Sequence, residues 1–256
     1  MISVDLNCDM GEGFGAYSIG DDEGVLRYVS SANVACGFHA GDPSVMERTV
    51  ALAAAAGVSV GAHPGFPDLA GFGRRELAAS ADEVRAMVLY QVGALGAFAA
   101  ARGVALTHVK PHGALYNMAA RRTDLAVAIA EAVAAYDPSL VLVGLYGSEL
   151  VKAGNAAGLR CAGEAFADRA YRADGSLVPR SQPGAVIDDP AACAARAVRM
   201  VSDGSVTAIG GERVELRPDT ICLHGDGDGA LELAAALSKA LREAGVDIRP
   251  LSRADG

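Results

Sequence analysis

Residues 4–9 near the amino terminus, "VDLNCD", alternate apolar and polar side chains without interruption. Because successive side chains of a β-strand point to opposite faces, the valine, the leucine and the cysteine share one face of this strand. The two aspartates and the asparagine share the other face. A buried strand can carry such a polar face only if its groups meet partners, because burying an unpaired polar group costs free energy. We therefore expect a sheet with an apolar face against helices and a polar face pointing inward.

Short apolar runs alternate with alanine-rich helical stretches along the whole chain. The predicted strands lie near residues 2–8, 32–38, 58–62, 105–110, 140–145, 160–166 and 219–224. The predicted helices lie near residues 43–56, 82–102, 123–135, 147–157, 190–202 and 229–244. This alternation predicts a mostly parallel sheet in an α/β protein. Around seven repeats in 256 residues favour a closed β/α barrel over an open doubly wound sheet.

Two regions interrupt the alternation. Residues 167–189 form a long polar segment, and residues 205–217, "SVTAIGGERVELR", predict a hairpin around two adjacent glycines. Composition does not change sharply at either region, so we expect a single domain over residues 1–256. The sequence therefore predicts a distorted, seven-stranded β/α barrel.

Composition narrows the classes of function. Hydrophobic residues make up 51% of the chain, yet we find no apolar run near the roughly 20 residues that a membrane span needs. The amino terminus lacks the pattern of a secretory signal, and the five cysteines are scattered without a CxxC pair. A reducing cytoplasm is therefore expected. The net charge of −9 argues against binding to nucleic acid or to an anionic membrane.

Ionisable side chains gather near the carboxyl ends of the predicted strands. On the inward faces these are His39, His63, Lys110, His112, Glu164 and His224. The catalytic residues of β/α barrels come from these strand ends, so the convergence predicts an active site at one mouth of the barrel. His108 lies earlier on its strand, and we expect a structural role for it.

The stretch "VKPHGALYN", residues 109–117, places a lysine and a histidine on one face where a strand ends. Pro111 removes a ladder donor and favours the end of the strand, and Gly113 permits a tight exit. Lys110 and His112 are therefore predicted to lie at the barrel mouth. A buried ion pair and a strand-end cap are the structural alternative for these two residues.

Loops after the strands carry further candidates. Asp9 and Glu12 could bind a divalent metal or share acid–base duties, and Arg74 and Arg75 could hold a carboxylate or a phosphate. Asp168 lies beside an arginine, and either an ion pair or a role in the site explains it. The glycine-rich loops at 11–16 and 225–230 contain acidic residues that would repel a pyrophosphate, and no P-loop or serine-hydrolase elbow occurs.

Several long motifs occur in order over nearly the whole chain: "DLNCDMGEGFG", "NVACGFHAGDP", "GAHPGFPDLAGFGRR", "VKPHGALYN", "GEAFADRAY" and "ICLHGDGDGA". Together they resemble the LamB/YcsF family, the A subunits of bacterial ATP-dependent 5-oxoprolinases. The resemblance implies a distorted β/α barrel of the glycoside hydrolase/deacetylase type. It also implies hydrolysis of 5-oxo-L-proline to L-glutamate, ATP with Mg²⁺ as co-substrate, partner subunits B and C, and a place in carbohydrate metabolism.

The motifs and the resemblance together define the expected site. The expected catalytic residues are Asp9, His39, His63, Lys110, His112, Glu164 and His224. The expected substrate-binding residues are Asn7, Glu12, Arg74, Arg75, Tyr116, Asn117, Asp168 and Asp226. In this scheme Lys110 neutralises a developing negative charge, while Asp9 or Glu164 acts with a histidine to activate water.

Two other functions stay open at this point. The first is a metal-dependent amide or acetyl hydrolase that acts alone, with Asp9, His39 and His63 as the metal ligands that the wider superfamily suggests. The second is a non-catalytic subunit that captures 5-oxoproline and passes it to its partners. A homo-oligomer is compatible with each of these hypotheses.

Overall fold

Seven parallel strands close into a barrel in the computed structural model, which describes residues 2–223 and 229–253. They are β1 (Ser3–Met10), β2 (Ser31–Ala35), β3 (Ser59–His63), β4 (Leu106–Val109), β5 (Val141–Leu145), β6 (Arg160–Phe166) and β9 (Thr220–Leu223). Each strand pairs with the next in this order, and β1 closes the barrel by pairing with both β2 and β9. The predicted seven-stranded β/α barrel is therefore confirmed.

Helices connect these strands. They are α1 (Asp22–Val25), α2 (Pro43–Ala56), α3 (Ala81–Ala101), α4 (Gly113–Ala119), α5 (Thr123–Tyr136), α6 (Glu149–Ala156), α7 (Pro190–Ser202) and α8 (Ala230–Glu243). Helix α2 begins where Asp42 accepts hydrogen bonds from the backbone amides of the first turn, and Ser80 and Glu83 form a capping box at the start of α3. Helices α1 and α4 are short and were not expected. Helix α4 follows the "VKPH" segment directly.

The carboxyl-terminal part of the chain closes the base of the barrel. The short strand β10 (Asp247–Ile248) pairs with the first residues of β1, in parallel. Leu251 then packs against Val141 and Val143 of β5 and Ala162 of β6. The predicted hairpin is also confirmed, since β7 (Ser205–Thr207) pairs with β8 (Arg213–Glu215) in antiparallel fashion.

Helix α3 is the one helix of residues 2–223 and 229–253 that meets the length and composition of a membrane span. The expectation from the sequence concerned an unbroken apolar run, and α3 contains Arg85 and Gln91; its alanines, valines and leucines nevertheless give it a high mean hydropathy. Helix α3 packs against α5 and β3, and it buries Val84, Val88, Val92 and Leu95 in the main core. Its apolar character is thus used for packing in this fold.

The barrel interior is polar, as the alternation in "VDLNCD" predicts. Leu6 and Cys8 face outward and join the core formed with the helices. Asp5 faces inward, where the hydroxyls of Ser30 and Ser31 donate to its carboxylate at 2.7 and 2.6 Å. Asn7 donates to Thr220 Oγ1 at 2.6 Å. Hydrogen bonds between strands replace the branched aliphatic layers that usually fill such a barrel.

Gly61 on β3 leaves the room that the imidazole of His108 occupies inside the barrel. A Cβ at Gly61 would overlap that ring, which is completely buried. We expect Gly61→Ala to lower the free energy of unfolding by about 3 kcal/mol, because the closed barrel has no space to move the ring. Urea unfolding followed by circular dichroism measures this.

Gly93→Ala on α3 is the matched control, since a Cβ there meets nothing within 4 Å. It should leave stability unchanged or raise it by up to about 1 kcal/mol through helix propensity. Equal stability of the two alanine variants would contradict the packing argument.

Candidate active site

A buried lysine stands at the centre of the barrel interior. The Nζ atom of Lys110 lies 2.9 Å from Glu164 Oε1, 3.0 Å from Asp9 Oδ1, 3.1 Å from Asn7 Oδ1 and 3.0 Å from Cys222 Sγ. Burial by itself would lower the pKa of Lys110, but the nearby Asp9, Cys222 and Glu164 outweigh it and hold that pKa well above its usual value. The ammonium is therefore charged, and two carboxylates share it.

A second layer of amides fixes this centre. The Asn33 amide nitrogen donates to Asn7 Oδ1 at 2.6 Å and to Asp9 Oδ1 at 2.9 Å. The Asn33 oxygen must then accept, and His108 Nε2 lies 2.8 Å from it. Burial lowers the pKa of His108 to about 3, so the ring is neutral and carries its proton on Nε2. His108 thus has the structural role expected from the sequence.

Backbone carbonyls set the tautomers of two other histidines. His63 Nδ1 lies 2.7 Å from the Lys110 carbonyl oxygen, and His112 Nε2 lies 2.8 Å from the Phe72 carbonyl oxygen. Because a carbonyl oxygen only accepts, both of these nitrogens carry hydrogen. The remaining nitrogens, His63 Nε2 and His112 Nδ1, face each other at 3.0 Å. If both rings are neutral, the lone pairs of these two nitrogens point at each other and repel. The arrangement therefore calls for a cation between them, either a proton or a metal ion.

His39 and two carboxylates complete this group. The ring of His39 stacks on His112 with centroids 3.8 Å apart, and neither of its nitrogens has a hydrogen-bond partner within residues 2–223 and 229–253. Glu12 Oε1 lies 3.4 Å from His39 Nε2 and 3.6 Å from His112 Nδ1, and Asp9 Oδ2 lies 3.2 Å from His63 Nε2. Burial, and then the neighbouring imidazoles, lower the pKa values of His39 and His112 well below the usual range.

The donor set fits a divalent metal. Glu12, His39, His63 and His112 each offer one ligand atom, and these atoms lie within 4.8 Å of one another. Neutral imidazoles and a carboxylate are typical zinc ligands, and a second ring nitrogen bonded to a backbone carbonyl is the usual support for a ligating histidine. The expected set was Asp9, His39 and His63. The structure groups Glu12 and His112 with His39 and His63, while Asp9 uses Oδ1 for Lys110 and Asn33 and keeps Oδ2 at 3.2 Å from His63 Nε2. The expected set therefore stays a prediction.

A cleft of about 720 Å³ opens above this centre. Its floor includes residues from the carboxyl ends of β1, β3 and β4, and its walls come from α4 and from the segments after β5 and β6. This is the end of a β/α barrel at which active sites form. The buried lysine and the histidine group therefore lie at one shared, accessible surface.

The structure brings most of the expected site residues together. Those that line the cleft are Asp9, Glu12, His63, Arg74, Lys110, His112, Tyr116 and Asn117. Those that are buried without lining it are Asn7, His39, Glu164 and Asp168. His224 and Asp226 lie outside the described residues.

Two expected residues have other partners. Arg75 does not line the cleft, because its guanidinium pairs with Asp68, which also accepts from the Gly71 amide in the preceding turn. Glu164 is completely buried and accepts from Asn7 Nδ2 at 3.0 Å besides its contact with Lys110. Glu164 is thus a counterion of Lys110 that does not line the cleft, and its catalytic role stays a prediction.

Sequence reasoning did not select several residues of the site. Asn33 was not among the predicted site residues, although its register with Asp9 could have indicated a role. The cleft walls also contain Arg121, Arg169, Arg172 and Arg180. Loop arginines carry no periodic signal, so the sequence offered little to distinguish them from solvated surface charges.

The fold and the site define a class of protein: a closed parallel β/α barrel with a buried, polar, metal-competent centre at the carboxyl ends of its strands. The fold is similar to that of a family 4 carbohydrate esterase from Streptomyces lividans in complex with acetate. The TM-score is 0.51 at 13% identity, with 100% of this chain and 97% of that chain covered. At this identity the likeness concerns the fold alone.

The chain belongs to the LamB/YcsF family, which it matches over residues 4–256. It is 56% identical to the 5-oxoprolinase A subunit of Bacillus subtilis (strain 168) over 252 residues, which cover 98% of both chains. It is 58% identical to the protein of the same name from Tolumonas auensis over 251 residues, covering 98% of this chain and 100% of the relative. The crystal structure of a lactam utilization protein from Thermus thermophilus matches with a TM-score of 0.93 and 53% identity, covering 98% of this chain and 100% of that chain.

The neutral His108 should make folding stability depend on pH. Its folded pKa of about 3 lies below its unfolded value of about 6.5, so the unfolded chain binds more protons once the pH falls below 6.5. Stability is thus retained above that pH and lost as the pH falls. Between about pH 7 and pH 5 this group accounts for a loss of about 2 kcal/mol.

His108→Gln keeps a nitrogen donor for Asn33 but does not titrate. We expect its free energy of unfolding to fall by about 2 kcal/mol less than that of the wild type over the same pH interval. Urea titrations at both pH values measure the difference. Parallel pH profiles for the two proteins would show that His108 is not held neutral.

Proposed function

We propose that this chain is the A subunit of an ATP-dependent 5-oxoprolinase and that it hydrolyses 5-oxo-L-proline to L-glutamate together with partner subunits B and C in the cytoplasm. The observation that carries the proposal is the buried lysine–carboxylate centre at the floor of the cleft. The relatives named as 5-oxoprolinase A subunits support it, because they match 98% of this chain at 56–58% identity.

The chemistry explains why such a reaction needs ATP. The lactam of 5-oxoproline is an unstrained amide, so its carbonyl carbon resists attack by water. Transfer of the terminal phosphoryl group of ATP to the lactam oxygen would release ADP and make C5 electrophilic. One water then adds to C5, the C–N bond breaks and the nitrogen takes a proton, which leaves an acyl phosphate. A second water hydrolyses this acyl phosphate to glutamate and phosphate. Each step places negative charge near C5 or on phosphate oxygens.

The residues at the cleft floor suit these steps. Lys110 stabilises the developing negative charge with its fixed ammonium. Asp9 and His63 act on water as a pair, because Asp9 Oδ2 lies beside His63 Nε2 at 3.2 Å and both side chains line the cleft. Arg74, whose guanidinium stacks 4.9 Å above the Phe72 ring, holds the carboxylate of the substrate.

A metal-dependent amide or acetyl hydrolase is the second candidate. The observation that favours it is the approach of His63 Nε2 to His112 Nδ1, whose lone pairs call for a cation. Glu12 and His39 would complete the ligand set with these two histidines. A bound divalent ion would supply Lewis-acid activation of water or of the substrate carbonyl. The backbone carbonyls of Lys110 and Phe72 hold the His63 and His112 rings so that His63 Nε2 and His112 Nδ1 face the ion.

Metal analysis distinguishes a metal from a shared proton at this position. We expect the purified protein to bind about one equivalent of zinc, in line with a four-ligand site, and to melt at a higher temperature when zinc is present. Mass spectrometry of the metal content and thermal unfolding measure these effects. His112→Ala should abolish both, whereas His108→Gln, outside the ligand set, should retain both.

A shared proton would give a different result. In that case the wild-type protein would contain no stoichiometric metal, and zinc would not change its melting temperature. Hydrolysis of simple amides or acetyl groups by the isolated chain, sensitive to chelators and independent of ATP, would favour the second candidate over the first.

Lys110→Ala tests the main proposal in the reconstituted complex. We expect ATP-dependent glutamate release to fall by about 10²–10³-fold, because a fixed charge at the reacting centre is lost. Lys152→Ala is the control, since Lys152 is an exposed lysine paired with Glu149. The assay follows glutamate formation with ATP and 5-oxoproline, with and without the partner subunits.

Full activity of Lys110→Ala would remove this residue from the mechanism. If Asp9→Asn and Lys110→Ala both retained turnover in the complex while the chain still bound 5-oxoproline tightly, the chain would instead be a non-catalytic binding subunit.

A further inference from the structure

The walls of the cleft carry a charge opposite to that of the whole chain. The chain has a net charge of −9, yet five arginines line the cleft, namely Arg74, Arg121, Arg169, Arg172 and Arg180. Above the floor, the acidic residues that line it within the described chain are Glu76 and Asp174. Glu76 pairs with Arg121. The outer cleft is therefore a locally positive surface on an acidic protein, which favours an anionic ligand.

Arg169 is built into this wall at an energetic cost. Only 5% of its surface is exposed, and the hydrogen bonds of its guanidinium run to backbone carbonyls. Its Nε donates to the Ala185 carbonyl at 3.3 Å and one Nη donates to the Val178 carbonyl at 2.6 Å. Burial, followed by the nearby Arg180, lowers the pKa of Arg169 to about 10, although Asp168 acts in the opposite direction. A buried guanidinium is stabilised when an anion binds to it.

Arg172 and Arg180 extend the same surface from one ordered segment. Both are exposed, and neither has a carboxylate within 4.0 Å in the part of the chain that the structure describes. Their segment is fixed by backbone hydrogen bonds from Ala170 to Ala185 and from Val178 to Ala170. Arg172 and Arg180 therefore lie on a segment whose backbone is ordered by hydrogen bonds.

A small lactam does not account for this wall. It carries a single carboxylate, which one arginine binds in a bidentate manner. A cavity of 720 Å³ is in the size range of pockets that enclose larger ligands, roughly 300–1,000 Å³. Several arginines along one wall match an anion with several charged groups in a row, and a chain of phosphates has that form.

We infer that the outer cleft binds the phosphate chain of a nucleoside triphosphate through Arg169, Arg172 and Arg180. The identity of the ligand rests on the proposed function, which requires ATP, but the inference goes further by assigning the nucleotide to this chain. Lys110 lines the same cavity. The terminal phosphate and the lactam would therefore share one enclosed space, which phosphoryl transfer requires.

Isothermal titration of the isolated full-length chain with ATP and with inorganic tripolyphosphate tests the inference. We expect both to bind, with an affinity that falls as salt increases. The double variant Arg172→Ala/Arg180→Ala should bind about 100-fold more weakly, roughly tenfold for each charge-assisted hydrogen bond that is removed. Both residues are exposed, so the variant should retain the wild-type melting temperature.

The matched control removes the same charge elsewhere. Arg85 and Arg199 are exposed on α3 and α7 and do not line the cleft. Arg85→Ala/Arg199→Ala should bind ATP with an affinity within about twofold of the wild type, because salt screens exposed charges that do not touch the ligand. If both double variants lost the same affinity for ATP, the loss would come from the change in net charge alone, and the inference would be wrong.

Other outcomes also decide the question. Absence of ATP binding to the isolated chain overturns the inference, even if the complex hydrolyses 5-oxoproline and the proposed function stands. Conversely, arginine-dependent ATP binding supports the inference even if no glutamate forms. If Arg172→Ala/Arg180→Ala binds ATP normally but fails to assemble with the partners, the wall is a protein-docking surface and the inference is wrong.

Discussion

The rest of the structure depends on the ion pairs that the buried ammonium of Lys110 forms inside the barrel. Its carboxylate partners, Asp9 and Glu164, come from β1 and β6, which are separated by more than half of the chain. A charge buried inside a barrel is tolerated only with such partners, and losing one of them typically costs about 3–5 kcal/mol. The strands can therefore close only in the register that brings these groups together. Closing the barrel and assembling the site are one event.

Much of the fold could be predicted from the sequence because its signal is periodic. The alternation in residues 4–9 assigned the inward and outward faces of β1, and the same reasoning located Lys110 and His112 at a strand end. Helix caps such as Asp42, which is followed by a proline at the first helical position, are local signals of the same kind. These features depend on neighbours in the chain, so a single sequence contains them.

The rest depends on geometry beyond the strand ends. Gly11 has a left-handed φ of 67°, which turns the chain after β1 and brings Glu12 into the histidine group beside Asp9. Alternation stops at such a turn, so the sequence could not rank the two acids. The pairing of Arg75 with Asp68 and the arginines of residues 167–189 also arise from loop conformations. No periodic pattern encodes either of them.

The strand order also determines when the barrel can close during synthesis on the ribosome. The first strand, β1, needs β9 and β10 as neighbours, and both are synthesised more than 200 residues later. Until then one edge of β1 has no partner strand, and unpaired strand edges are where nascent chains associate wrongly. The polar, doubly acidic face of β1 makes it a poor template for such pairing. The side chains that serve the finished pocket also protect the unfinished chain.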